Sequence, residues 1–225
     1  MRLARRRSIL YFSPLTLFIV MVFAPRAEVA QDTAAAVETP LSLALIFDLS
    51  QSTVLQRQGP TIKPKHFKQL FSSLLQPGSR NQFFIISMST APKVILDGST
   101  DGKATLKALS KLAAIERGGA TALYDACFLG IKKVTLAEPS KRVLIAVSDG
   151  VDTMSRKTLS VVKRALVDAK VTLYAIVVKS EDKVFDERIK ALDEMAAISG
   201  GEAFHPERSE DLKAILERIA VKLRE

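Results

Sequence analysis

The sequence predicts an α/β domain: a doubly wound, mostly parallel sheet with one short antiparallel edge strand and helices on both faces. Three observations predict it. Residues 41–47 (LSLALIF), 142–147 (RVLIAV) and 171–178 (VTLYAIVV) are unbroken apolar runs of strand length, as expected of strands covered on both sides. Segments with helical spacing alternate with these runs, the pattern that right-handed crossovers make into a parallel sheet. A length of 225 residues suits one ordinary domain plus a targeting segment and is too short for two domains with linkers.

The elements follow in order. The run 41–47 ends on Asp48. Residues 65–75 carry Phe67, Leu70, Phe71, Leu74 and Leu75 at helical spacing, closed by Pro77-Gly78. Residues 82–88 (QFFIISM) read as a second strand, and 93–96 as a short one close enough to pair antiparallel with it, with Asp97-Gly98 and Asp101-Gly102 as the turns around it. Leu106, Leu109, Leu112, Ala113 and Ile115 suggest a helix that Gly118-Gly119 ends. Residues 121–136 form the next helix, with Leu123, Ala126, Cys127, Gly130, Ile131 and Val134 on one face. After strand 142–147 come a helix at 158–169, strand 171–178 and a helix at 185–198. Gly200-Gly201 closes that last helix as a C-terminal cap. Residues 202–204 are a last short strand, and 209–223 a final amphipathic helix with Ser209 as its N-cap.

Three stretches divide the chain: a signal peptide or signal anchor at 1–30, a linker at 31–40 and the folded domain at 41–225. Residues 1–7 are cationic and 9–24 are almost wholly apolar, the order of a secretory signal. Ala27 or Ala30 would be the last residue removed, but Pro25 and Glu28 stand where a small residue is preferred, so an uncleaved anchor is the alternative. Both readings keep the arginines in the cytoplasm and export the domain, to be periplasmic, secreted or held at the cytoplasmic membrane. No cysteine follows the apolar run, so a lipoprotein anchor is unsupported. Residues 31–40 (QDTAAAVETP) lack periodicity.

The formal net charge is +9. Arg2, Arg5, Arg6, Arg7 and Arg26 against Glu28 place +4 of it in residues 1–30, leaving +5 elsewhere. The remaining lysines are dispersed and no aromatic residues interleave with them, which argues against nucleic acid as a partner. The one cysteine, Cys127, lies in an apolar helical run and excludes both an intrachain disulfide and a cysteine-built zinc site.

In a doubly wound sheet, ligands bind beyond the carboxyl ends of the strands, near the point where strand order reverses. Three loops that follow apolar runs or open a helix hold small oxygen-bearing residues. They are Asp48-Leu49-Ser50-Gln51-Ser52, Gly118-Gly119-Ala120-Thr121 and Ser148-Asp149-Gly150-Val151-Asp152. Two carboxylates (Asp48, Asp149) and three hydroxyls (Ser50, Ser52, Thr121), with no imidazole or thiol, match the oxygen ligands that a hard cation takes. The competing reading is that these residues are helix caps and turn formers. It is better suited to one of them than to all five. Asp125 and Asp152 read as local caps or ion-pair partners, and His66 and His205 as surface or capping groups.

Asp48-x-Ser50-x-Ser52, then Thr121, then Asp149-Gly150, resembles the metal-ion-dependent adhesion site of von Willebrand factor A (vWA) domains. The resemblance covers about residues 41–223. It is nearest to exported vWA-related proteins seen mainly in acidobacteria, through Thr-Ala-Leu-Tyr-Asp-Ala at 121–126, Asp-Gly-x-Asp-x-x-Ser at 149–155 and Gly-Gly-x-Ala-Phe at 200–204. It implies a Rossmann-like vWA fold and a bound Mg2+, with Mn2+ or Ca2+ as alternatives. Ser50 and Ser52 would bind the ion directly, Thr121 directly or through water, and Asp48 and Asp149 mostly through waters. A sixth position would be left for an Asp or Glu carboxylate of a partner protein. Two departures are visible: Gln51 where many members have Gly, and Ser148 where Thr often precedes Asp-Gly.

The resemblance implies an exported cation-dependent adhesion or assembly module and not an enzyme. A metal-assisted hydrolase on the same scaffold is the first alternative. Against it, Asp48-Leu49-Ser50 lacks the second Asp of an Asp-x-Asp phosphatase, and no strand is followed by a His or Lys placed as a general acid or base. A vWA scaffold that needs no metal is the second alternative.

Overall fold

The computed structural model describes residues 39–54, 61–76, 78–178 and 186–225, excepting the side chains of Ser52, Val54 and residues 186–189. These residues fall within the unit Val37–Glu225. The signal segment predicted at 1–30 and the linker through residue 38 lie outside them. Among the described residues no helix is long and apolar enough to cross a membrane.

Six strands form one sheet: β1 Leu41–Asp48, β2 Gln82–Met88, β3 Pro92–Ser99, β4 Lys141–Ser148, β5 Val171–Val177 and β6 Glu202–Phe204. Their order is β3-β2-β1-β4-β5-β6, and every neighbouring pair is parallel except β2 with β3. Every residue of β1 is buried, because it is central and covered on both faces. Its side chains alternate between two cores. Leu41, Leu43, Leu45 and Phe47 point to one side, where they meet Phe67, Phe71, Leu109, Leu112, Leu216 and Ile219. Ala44 and Ile46 point to the other, against Leu123, Cys127, Ile131, Val162, Leu166 and Leu192.

The helices divide accordingly. A 3-10 turn at Pro64–Phe67, α2 (Lys68–Leu74), α3 (Gly102–Ala113) and α7 (Asp211–Arg224) supply the first core. α4 (Leu123–Leu136), α5 (Leu159–Asp168) and α6 (Asp186–Ile198) supply the second. A four-residue helix, α1 (Gln51–Val54), follows β1 directly and falls inside the first oxygen-rich loop. Gly201 permits a close backbone approach to β5. A Cβ there would collide with the carbonyl of Leu173 on β5, so only glycine lets α6 turn into β6.

Three local expectations are corrected. Asp97-Gly98 is not the turn that ends the edge strand. β3 runs through it to Ser99, and the register with β2 gains a residue there. Gly98, at φ +69°, absorbs the bulge, and the Gln82 side chain donates to its carbonyl at 3.0 Å. Ser209 does not cap α7. The N-cap position is Glu210, with no side-chain bond, and the Asp211 carboxylate takes the turn amides of Glu207 and Arg208 at 3.1 and 2.9 Å. The helix expected over 65–75 opens as a 3-10 turn, with Pro64 at its start.

Candidate metal centre

The sheet order places a crevice at one point of its rim. β1 has β2 on one side and β4 on the other. The chain leaves β1 toward β2 and leaves β4 toward β5, so the loops after these two strands diverge. Asp48 ends β1, Ser148 ends β4, and Asp149 follows it. The register that pairs Phe47 with Val147 makes Asp48 and Ser148 level, and the Ser148 hydroxyl donates to Asp48 Oδ2 at 2.6 Å. Ser148 Oγ in turn accepts the amide of Gly150 at 3.2 Å.

Asp48 Oδ1 accepts the Ser50 amide at 2.8 Å, which curls the first loop around the carboxylate. The Ser50 hydroxyl also bonds Asp48. Asp149 Oδ1 accepts the amide of Val151 at 3.1 Å, so the loop after β4 curls around its own carboxylate in the same way. Asp48, Ser50 and Asp149 are all buried, at 2%, 0% and 0% exposure. Burial is the main reason the Asp48 carboxyl is raised to about 6, and the nearby charge of Asp149 adds to it. The bonds from Ser148 and Ser50 pull the other way without overcoming burial.

The second loop joins α3 to α4 and is stitched to the first. The Gly118 amide donates to Leu49 O at 2.7 Å, and the Gln51 amide donates to Gly119 O at 3.1 Å. Gly119 has φ +85°, and a Cβ there would lie 2.6 Å from Thr90 Oγ1, so this crossing excludes a side chain. Thr121 ties the second loop to the third: its amide donates to Thr153 Oγ1 at 2.9 Å, and its carbonyl accepts the amides of Thr153 and Met154 at 2.8 and 3.0 Å. These bonds use only the main chain of Thr121, and the residue is 3% exposed. The three loops that carry the five predicted ligands are therefore joined to one another. Ser52 lies in α1 beside Ser50, and its side chain is outside the described residues.

The remaining polar candidates have local roles. Asp152 Oδ1 accepts the Tyr124 amide at 3.1 Å and the Ser155 hydroxyl at 2.5 Å, holding the first turn of α4. Asp125 accepts the amides of Arg156 and Lys157 at 3.0 and 2.9 Å. His66 Nδ1 accepts the Lys63 amide at 3.3 Å, and His205 Nε2 bonds Asp193 at 2.8 Å. Cys127 is fully buried, and burial pushes its thiol up to about 12. A groove of about 560 Å³ between α2 and α7 is lined in part by Leu70, Leu212 and Leu216, and no residue of the three loops contributes to it. Its apolar walls do not suit a hard cation.

Sequence reasoning missed four residues at this rim. Ser89 O accepts the Ala122 amide at 2.8 Å, and Thr90 Oγ1 accepts that of Ala120 at 3.3 Å. Both follow β2, a strand end that the carboxyl-end rule singles out. Thr153 holds Thr121 across 32 residues of sequence, which no local pattern signals. Arg117 lies half-buried with its guanidinium carbon 5.8 Å from the centre of the Phe47 ring. Burial lowers its pKa, and the charge of Asp48 opposes that shift.

No family model matches the chain, and no curated protein matches it. Solved structures do. An aerotolerance-related membrane protein from Bacteroides fragilis superimposes with TM-score 0.59 at 15% identity, covering 81% of this chain and 99% of that one. The vWF domain of Mfa5, the type V pili tip protein of Porphyromonas gingivalis, gives TM-score 0.61 at 9% identity, covering 84% and 96%. A von Willebrand factor type A protein from Catenulispora acidiphila gives 0.60 at 16% identity, covering 83% of this chain and 43% of that one. The six-stranded sheet, with its single antiparallel edge and helices on both faces, is the fold of the von Willebrand factor A domains.

Proposed function

We propose that this domain is an exported, cation-dependent protein-binding module that grips an acidic side chain of a partner through a bound divalent ion. The observation that carries the reading is the pair of buried carboxylates, Asp48 at the end of β1 and Asp149 just after the neighbouring β4, where strand order reverses. Two like charges buried together oppose folding, and an ion between them would relieve that cost. The donor set fits such an ion. Asp48 and Asp149 offer carboxylate oxygens and Ser50, Ser52 and Thr121 offer hydroxyls, the ligand chemistry of Mg2+. These five residues would hold the cation, which supplies a Lewis-acidic position for a carboxylate from outside.

Export is supported by the cationic and apolar order of residues 1–24. Envelope adhesion or assembly is supported by the presence of a membrane protein and a pilus-tip protein among the structural neighbours. A binding role rather than catalysis is supported by the positions of His66 and His205, each engaged away from the three loops. Titration calorimetry with Mg2+, then capture of partners from an envelope fraction with and without EDTA, tests the reading. Mg2+ binding that disappears in Ser50→Ala, and partner capture that EDTA abolishes, are expected. Partner binding indifferent to both would overturn it.

A further inference from the structure

We infer that Arg117 is a second anion-recognition group at this rim, so that the partner presents two neighbouring carboxylates, one for the cation and one for the guanidinium. The inference rests on the cation-site reading above and deepens it. Arg117 brackets Asp48 from the side of the first core. Its guanidinium lies over Phe47, the residue before Asp48, and the amide of the next residue, Gly118, is bonded to Leu49, the residue after it. The side chain is thereby held beside the ends of the same loop that carries Ser50.

A guanidinium carries five N–H donors in a rigid fork that can hydrogen-bond a carboxylate. Among the described residues no carboxylate lies at ion-pair distance from that of Arg117; besides its contact with the Phe47 ring, the group that acts on it is the charge of Asp48. Asp48 is itself committed to the Ser50 amide and the Ser148 hydroxyl. Half-burial reduces solvent screening, so a carboxylate docked on the fork gains a charge-assisted, bidentate contact. An isolated acidic residue would use the cation alone. An acidic segment with two close carboxylates would use both groups.

The test uses the full chain and two capped peptides, Ac-Glu-Gly-Glu-NH2 and Ac-Glu-Gly-Gln-NH2, titrated into Mg2+-saturated protein. Mg2+ affinity is measured separately for each variant. Wild type is expected to prefer the doubly acidic peptide by about tenfold or more, the worth of one charge-assisted bond. Arg117→Gln should abolish the preference while still binding Mg2+. Arg117→Lys, which keeps the charge and loses the fork, should keep only part of it and serves as the folded control if Arg117→Gln is unstable. Equal affinity of wild type for both peptides overturns the inference, as does a preference that survives Arg117→Gln. Mg2+ binding intact in either case leaves the cation site standing. No Mg2+ binding by wild type removes the site and this inference together.

Discussion

Replacing Asp48 by Asn should make the metal-free domain more stable at neutral pH and blind to Mg2+. Burial and the neighbouring Asp149 raise the Asp48 carboxyl from 3.8 to about 6 in the folded state. A carboxyl raised on folding binds its proton more tightly in the folded chain, so stability is greatest below about pH 4 and falls as pH rises toward 6. The loss is complete above that and amounts to about 3 kcal/mol for a shift of roughly two pH units. Asn carries no charge to bury. Its oxygen can still accept the Ser50 amide, and its NH2 can donate to Ser148 Oγ, which would continue to accept the Gly150 amide. The Ser148 hydroxyl then loses the acceptor it now holds at 2.6 Å, a loss of about 1 kcal/mol.

The net expectation is a gain of about 1–2 kcal/mol, or about 2–8 °C in Tm for a domain of this size. Thermal unfolding of both proteins at about pH 7.5, in EDTA and in millimolar Mg2+, measures it. Wild type should gain about 2.7 kcal/mol once Mg2+ reaches about a hundred times its Kd, and Asp48→Asn should gain nothing. Near pH 4 the advantage of Asn should vanish. An Asp48→Asn protein that is less stable than wild type in EDTA at neutral pH, or that Mg2+ stabilises equally, refutes the reasoning.

Four further outcomes are expected. Ser50→Ala and Thr121→Ala should each weaken Mg2+ binding by at least about tenfold in calorimetry while leaving the circular dichroism spectrum unchanged, since each removes a proposed oxygen ligand and no core side chain. The apparent affinity for Mg2+ should fall as pH drops through about 6, because a proton on Asp48 competes with the ion; an affinity flat from pH 5 to 8 would contradict this. Cys127, fully buried and with its thiol raised to about 12, should react with a disulfide reagent only as fast as the domain unfolds. Gly201→Ala should lower stability by about 2 kcal/mol or more in denaturant titration, because its Cβ meets the main chain of Leu173 and not a movable side chain.

Much of this architecture was legible in the amino-acid order. The runs at 41–47, 82–88, 142–147 and 171–178 matched β1, β2, β4 and β5 to within a residue at each end. Strand and helix periodicities are local, and local patterns decide which side chains face a core. The positions of Asp48 at a strand end and of Ser50, Thr121 and Asp149 in loops were legible for the same reason, because each stands where a periodic run stops or starts. Capping and bulging were less legible. Asp211 rather than Ser209 organises the start of α7, and Asp97-Gly98 bends a strand instead of ending it. Asx turns and β-bulges use the same residue types as caps and turns, and differ only in which backbone groups lie within reach.

The amino-acid order by itself therefore determined the elements, their sequence along the chain and the oxygen-rich character of three loops. Only the tertiary structure decided that those loops meet. Strand order β3-β2-β1-β4-β5-β6 brings Asp48 beside Ser148 across 100 residues, sets Thr121 against Thr153 across 32, and lays Arg117 over Phe47. No local period encodes such meetings. They follow from how the helices pack on the two faces of the sheet, which burial of the whole chain settles at once.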